Sequence, residues 1–458
     1  MPDVTIFHLL IAQEERPHSP PLGPLMIAAS AREAGYDVAF KQLWHRRGTP
    51  LRISDFRSQL LSADSPVVAV SCMIDALPIL ALALMTASEE NPNTAFVAGG
   101  PGFGGIGHDV MAHVTALRAV ALGEGESTFV QVLDSLLRGK GELHSIPGIL
   151  SRSEPGGPVR SGGPLVLVDD LDALPPPAFD LIRFDDYGGV PVQATRGCPF
   201  RCTFCDVAPA WSRKHRRRSI AAVVNHLCEL KEVHGVDQVG FVDDLLMVDI
   251  NWFRRLCEAL ASADTPNWVC TGHVNILLRM AEKDLELLRR AGCVKLFAGI
   301  ESGSDSILKK IRKSFRFSDA LSVARKLQGH LEFQTNLLWG FPFETPHELN
   351  ETLIAAKELE ALGVDVGTPV LVSPLASSPL YAEHGSAIVF DPSAPNIFYS
   401  MLDDLEPSSR SAVDRLIESR PLSYCAFYYF KGESILKRAR MVRSATGARL
   451  KPRRLVVT

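Results

Sequence analysis

No run of about 18 or more apolar residues occurs, so the chain lacks the segment a membrane-crossing helix requires. Val67–Val70 and Ala76–Met85 are too short, and Asp75 and Pro78 interrupt them. The apolar N-terminal stretch follows Asp3 rather than Lys or Arg, so it reads as a first buried strand and not as a signal peptide. Charge of either sign is not in excess: 48 Lys and Arg against 52 Asp and Glu leave a net charge of -4, which gives no broad nucleic-acid-binding face. There is no composition bias toward disorder, with 46% hydrophobic and 22% charged residues in 458. The nine cysteines are odd in number and mostly scattered, which excludes a disulfide framework and points to a reducing cytoplasm. Three of the nine fall within eight residues, and this group needs its own explanation.

Strand and helix patterns alternate along the first third of the chain. Residues 4–11 (VTIFHLLI), DVAFKQLW, 67–73, 95–101 and 116–126 read as strands, with helical patterns between them. This alternation predicts a doubly wound parallel sheet, whose ligands sit beyond the carboxyl ends of the strands. Those ends are small and polar here: Ser71-Cys72, Gly99-Gly100-Pro101 and Gly123-Glu124-Gly125-Glu126. From Glu142 to Tyr187 the sequence turns to Pro, Gly and Ser, including three consecutive prolines, which reads as a linker. Six further strands are expected at 191–195, 237–243, 267–273, 294–300, 332–339 and 367–373. Helices between them complete the pattern of a partial (β/α)6 parallel barrel. The expected organisation is therefore an α/β chain with a Rossmann-like domain at 1–150, a linker at 151–190, a barrel at 191–384 and a C-terminal extension at 385–458.

Cys198, Cys202 and Cys205 form a CxxxCxxC triplet directly after the first barrel strand. Three thiolates on one tight loop can hold three irons of a cubane and leave the fourth open to a substrate or cofactor. Structural zinc wants four ligands in two spaced pairs, and no second Cys or His pair stands at suitable spacing. A redox CxxC has no use for the third cysteine.

The triplet, with Phe204 before its last cysteine, resembles that of the radical S-adenosylmethionine (AdoMet) enzymes. The resemblance implies a [4Fe–4S] cluster whose open iron chelates AdoMet, reductive cleavage to a 5′-deoxyadenosyl radical, and hydrogen abstraction from a small-molecule substrate. It also implies a reductant such as flavodoxin or ferredoxin. It extends over most of residues 190–380. Phe241-Val-Asp243-Asp244 is similar to the family's second-strand segment, and Gly299-Ile-Glu301-Ser302-Gly303 to the fourth-strand segment that meets AdoMet. Asn336 to Thr345, including Gly340, is similar to the adenine-contacting segment, and Ser373 to Tyr381 to the sixth-strand exit. Each has a plainer reading as well: Asp243-Asp244 and Ser302 could serve as helix caps. His273, Asn336 and Asp243 are candidates for substrate chemistry. A packed, hydrogen-bonded histidine is the alternative for His273. The basic run 212–218 (SRKHRRR) is either a solvated turn or an anion-neutralising segment, and nucleic acid is not expected as a partner.

The preceding Rossmann-like domain resembles the cobalamin-binding subclass of this family. Ser71, Gly99, Gly100 and Glu124 would then meet cobalamin, since small residues let backbone approach a macrocycle or its nucleotide tail. The chain departs from many cobalamin proteins in having no D-x-H-x-x-G string. His8, His18 and His108 lie in this domain without that spacing. Two activities follow from the resemblance: cobalamin-dependent C-methylation of a natural-product intermediate, or cobalamin-independent dehydration or epimerisation of an amino sugar with the first domain as scaffold. Methylthiotransfer would bring a second cluster with three more cysteines, and Cys72 stands alone in the first domain.

Overall fold

In the computed structural model, residues 1–432 and 435–446 are described. They form two compact units: Met1–Gly188 with Phe398–Phe427, and Gly189–Ile397 with the described residues from Tyr428 onward.

The first unit is built on β1 (Val4–Gln13), β2 (Val38–Arg46), β3 (Val67–Cys72), β4 (Ala95–Gly99) and β5 (Leu117–Ala121), all parallel. Apart from the edge strand β2, their near-continuous apolar runs are what a sheet covered on both faces requires. The helices are α1 (Leu22–Glu33), α2 (Ile53–Leu61), α3 (Leu77–Glu90), α4 (Gly107–His113) and α5 (Glu126–Arg138). Helix α1 opens with Pro24 in its first turn and stops at Gly35, whose φ of 82° no β-carbon residue adopts cheaply. The order β2-β1-β3-β4-β5 places the topological switch between β1 and β3. Val4, Ile6, Val67, Ala69, Val97 and Ala119 pack against α1 and α5 to form the core.

The segment expected to be a linker is partly sheet. β6 (Ile149–Ser151) and β7 (Arg160–Ser161) extend the sheet antiparallel beyond β5. Pro155-Gly156-Gly157 supplies the hairpin turn, and Ile149 and Leu150 are buried, so turn-rich composition here marks a hairpin and not a tether. The expected extension at 385–458 is also divided. Phe398–Phe427 belongs to the first unit, where Leu51 N–H donates to the Asp404 carbonyl at 2.9 Å and His113 Nε2 lies 3.0 Å from Tyr424 Oη. The end of this extension, from residue 447, lies outside the described residues.

The second unit carries β8 (Val190–Val192), then β9 (Thr195–Arg196) and β10 (Arg216–Arg217), an antiparallel pair. β11 (Gln238–Phe241), β12 (Asn267–Thr271), β13 (Cys293–Phe297) and β14 (Glu332–Thr335) follow, then β15 (Leu338–Trp339), β16 (Asp365–Val366) and β17 (Val370–Leu371). Six strands pair in parallel in the order β8-β11-β12-β13-β14-β16, the open barrel expected from the repeat. β15 and β17 form a separate parallel pair. The intervening helices are closed by ordinary signals. Ser219 Oγ accepts from Ala222 N–H at 3.1 Å, and Thr345 with Glu348 forms a reciprocal capping box. Among the described residues no helix is long and apolar enough to cross a membrane.

Candidate active site

The cysteine triplet lies on the loop after β9, at the carboxyl end of the barrel's first strand. Cys198, Cys202 and Cys205 are half-buried and unpaired by disulfides. The loop is braced from several sides. Thr203 N–H donates to the Ile311 carbonyl at 3.1 Å, and its own carbonyl accepts from Leu380 N–H at 2.7 Å. Gly197, immediately before Cys198, has φ 95°, and a β-carbon there would run into the Lys214 carbonyl oxygen. The basic run 212–218 thus has a structural task. Its Arg216–Arg217 pairs with Thr195–Arg196, and Arg217 is bound to Asp249 at 2.7 Å.

Asp243 and Asp244 are positioning residues for this loop. Asp243 is buried at the end of β11 and accepts the backbone N–H groups of Ala194 (3.2 Å) and Thr195. Burial pushes its carboxyl up to about 7 against the pull of those donors. Asp244 accepts Gly197 N–H at 2.8 Å. In this structure the Asp243 carboxylate holds the strand that precedes the cysteines.

Beside the triplet sits a buried ion pair that the sequence did not reveal. Lys313 Nζ lies 2.9 Å from Glu301 Oε1 and donates to the Gly299 carbonyl at 3.0 Å. Glu301 has a left-handed backbone, φ 72°, held by Glu301 N–H to the Asn336 carbonyl (3.1 Å) and Leu338 N–H to the Glu301 carbonyl (2.7 Å). The ammonium of Lys313 stands 5.7 Å from the Phe204 ring centre, and its charge, with Cys202 nearby, favours thiolate at Cys202 against the opposing effect of burial. Lys313→Met would strand the Glu301 carboxylate, and we expect a loss of about 3–5 kcal/mol, the usual cost of breaking a buried pair. Urea unfolding midpoints check this, with most of the loss recovered in Lys313→Met/Glu301→Gln.

The remaining expected residues divide. Phe204 stands edge-on to Phe341 with centroids 6.2 Å apart. Asn336 is half-buried, with its side chain close against Gly367. Gly340, φ 87°, donates its N–H to Glu344 at 2.7 Å. Ser302 and Gly303 turn toward the helix Pro346–Ala361: Ser302 Oγ is 2.9 Å from Thr352 Oγ1, and Gly303 N–H donates to the same oxygen at 3.2 Å. A β-carbon on Gly303 would collide with Ala355, so the pair provides close packing rather than a free surface. His273 follows β12 and stacks on Phe200 of the cysteine loop, with centroids 3.8 Å apart and planes 10° apart.

The cysteine geometry fits a cubane better than a single ion. Among the described residues no three His, Cys, Asp or Glu side chains converge as ligands of one metal ion. In a cubane each thiolate binds a different iron, so its sulfurs stand farther apart than around zinc. Burial pushes all three thiols up, Cys205 to about 12, so the loop stores no thiolate unless a positive centre binds there.

In the first unit the small residues at the strand ends enclose an apolar cavity of about 50 Å³ between the sheet and helices α1 and α5. Ala69, Ser71, Gly99, Ala121, Ile27 and Gly125 are among its walls. A β-carbon on Gly125 would approach Ile27 Cδ1 to 2.9 Å, and one on Gly100 would approach Ser71 Oγ to 2.8 Å. Ser71 and Gly99, two of the residues expected to meet cobalamin, stand in the wall of this cradle. Glu124 is elsewhere engaged: its carboxylate accepts Val168 N–H and fixes the chain after the hairpin.

Comparison with known proteins agrees with both units. The family described as "Radical SAM superfamily" matches residues 192–356, and "B12 binding domain" matches residues 11–133. The chain belongs to the radical SAM superfamily, as an enzyme with a [4Fe–4S] cluster and AdoMet as cofactors and a B12-binding domain ahead of the barrel. It is 30% identical over 352 residues, 74% of each chain, to an uncharacterized methyltransferase of Pyrococcus horikoshii. It is 27% identical to an anaerobic magnesium-protoporphyrin IX monomethyl ester cyclase of Synechocystis and 26% identical to a hopanoid C-3 methylase of Methylococcus capsulatus. These matches cover 68% and 67% of this chain, and the chain spans only 62% and 59% of those two proteins. Its fold is that of the radical AdoMet methyltransferase TsrM of Kitasatospora setae, with a TM-score of 0.69 at 15% identity over 97% of this chain and 88% of the other. OxsB, a cobalamin-dependent AdoMet radical enzyme, gives the same TM-score and identity over 97% and 66%.

Proposed function

We propose that this enzyme transfers a methyl group to a carbon of a small biosynthetic intermediate, using cobalamin held by the first unit. The observation that carries the reading is the pairing within one chain of a B12-binding domain, with an apolar cradle at its strand ends, and a braced three-cysteine loop at the mouth of an open barrel. When bound, the cluster supplies the electron that cleaves AdoMet, and cobalamin supplies a transferable methyl group.

The chain's own residues do the positioning. Asp243 and Asp244 fix the strand and turn that present Cys198, Lys313 with Glu301 sets the charge beside the loop, and Phe200 and Phe204 of the loop pack on His273 and Phe341. In the first unit the small side chains of Ser71 and Gly99 leave room at the strand ends for part of the cobalamin. A flavodoxin- or ferredoxin-type protein would deliver the electron, and the compartment would be the cytoplasm.

The test is anaerobic reconstitution with iron, sulfide, AdoMet and dithionite, with and without hydroxocobalamin. We expect one cobalamin per chain by visible absorption, and both 5′-deoxyadenosine and S-adenosylhomocysteine among the products. 5′-Deoxyadenosine in equal yield without bound cobalamin, with no S-adenosylhomocysteine, would favour dehydration or epimerisation of an amino sugar instead.

A further inference from the structure

Among the described residues, His273 is a buried ring beside the cysteine loop with one nitrogen bonded and the other without a partner. It is 8% exposed, at the carboxyl end of β12. Its Nδ1 accepts Asn275 N–H at 3.3 Å as the N-cap of the helix Val274–Arg279. That acceptor role places the ring's proton on Nε2. Nε2 has no hydrogen-bond partner although it is buried, which a folded chain rarely leaves uncompensated. The ring is held flat against Phe200, between two of the three cluster cysteines, and edge-on to Phe315 at 5.8 Å. Burial, with Lys313 nearby, holds its pKa down to about 3, which favours the neutral ring.

A donor N–H beside the cysteine loop needs an acceptor that arrives with the ligand. The nearby cation Lys313 is already matched by Glu301, so it does not supply the neutral donor an added carboxylate would use. We infer that His273 is a positioning residue whose Nε2–H donates to a carboxylate oxygen of AdoMet. The inference rests on the radical AdoMet assignment, whose failure would show separately as no iron and no 5′-deoxyadenosine from the unaltered enzyme.

Two substitutions separate the donor from the cap. His273→Asn keeps an acceptor near Nδ1 and removes the Nε2 donor. His273→Gln places an amide N–H near Nε2 and gives up the cap. AdoMet affinity is measured at matched iron content on the reconstituted full-length enzyme, by the change that AdoMet makes in the electron paramagnetic resonance signal of the reduced cluster. His273→Asn should weaken AdoMet at least about fivefold, the scale of a lost hydrogen bond to a charged group, and His273→Gln should stay within about fivefold. Decarboxylated AdoMet should bind the unaltered enzyme at least about fivefold more weakly than AdoMet does, and should bind His273→Asn as it binds the unaltered enzyme. A smaller effect of His273→Asn, equal damage in His273→Gln, or a penalty that persists with the decarboxylated compound would each overturn the inference. If the acceptor were on the methyl-receiving substrate, AdoMet affinity would not move, and that result also overturns it.

Discussion

Alanine at Cys198, Cys202 or Cys205 should abolish reductive AdoMet cleavage, lowering 5′-deoxyadenosine formation by at least ~10³-fold, since the three sulfurs act as one unit. The same loss is expected from a residue that binds no iron. Gly197 occupies a left-handed backbone position, and a β-carbon there would collide with the Lys214 carbonyl. Gly197→Ala must therefore push the loop away from the strand pair Thr195–Arg196 and Arg216–Arg217, carrying Cys198 with it. Iron and sulfide content after anaerobic reconstitution, with visible absorption near the cluster bands, measures both effects. Full iron content in Gly197→Ala would show that the loop refits around the cluster, and turnover in any of the three cysteine variants would remove the basis of the whole account.

The parts of this molecule that the sequence announced are those specified by local chemistry. Buried parallel strands need unbroken branched and aromatic runs, so Val4–Gln13, Val67–Cys72 and Gln238–Phe241 were visible as strands. Three cysteines in eight residues have few explanations, and the loop they occupy follows directly from the strand before it. What stayed hidden depends on long-range pairing. Nothing local to Pro155-Gly156-Gly157 says whether a turn joins two strands or begins a tether, because the answer lies in whether Ile149 and Leu150 find an exposed sheet edge. The return of Phe398–Phe427 to the first unit depends on partners such as Leu51 and His113, some 300 residues or more away. Asp243 and Asp244 were visible as important carboxylates, but their partners are backbone N–H groups, which carry no side-chain signature. Lys313 was missed for a similar reason: KKIRKS reads as a solvated basic stretch until Glu301, folded back by its left-handed backbone, meets it in the interior.

Filling the cavity of the first unit should remove cobalamin while leaving the cluster in place. Gly99 is the position for this, because a β-carbon there would make only ordinary contact with Ala121 Cβ at 3.5 Å, and no positive φ opposes a side chain. A β-carbon at Gly99 meets no clash, and the further carbons of Gly99→Leu are expected to fill and crowd the small space between the sheet and helices α1 and α5. A ligand that needs this space must displace a side chain packed among Ile27, Ala69 and Ala121, at a steric cost of about 3 kcal/mol, so affinity for hydroxocobalamin should fall roughly 100-fold. Gly99→Ala, whose single methyl group reaches no closer than ordinary contact, should bind within a few-fold of the unaltered protein, which separates filling from strand damage. Cobalamin retained through gel filtration, read from its visible spectrum, is the measurement, and iron content in the same sample reports that the barrel is intact. Equal cobalamin retention in Gly99→Leu and the unaltered chain would place the ligand away from the carboxyl ends of β3 and β4, and the switch-point argument for this sheet would fail with it.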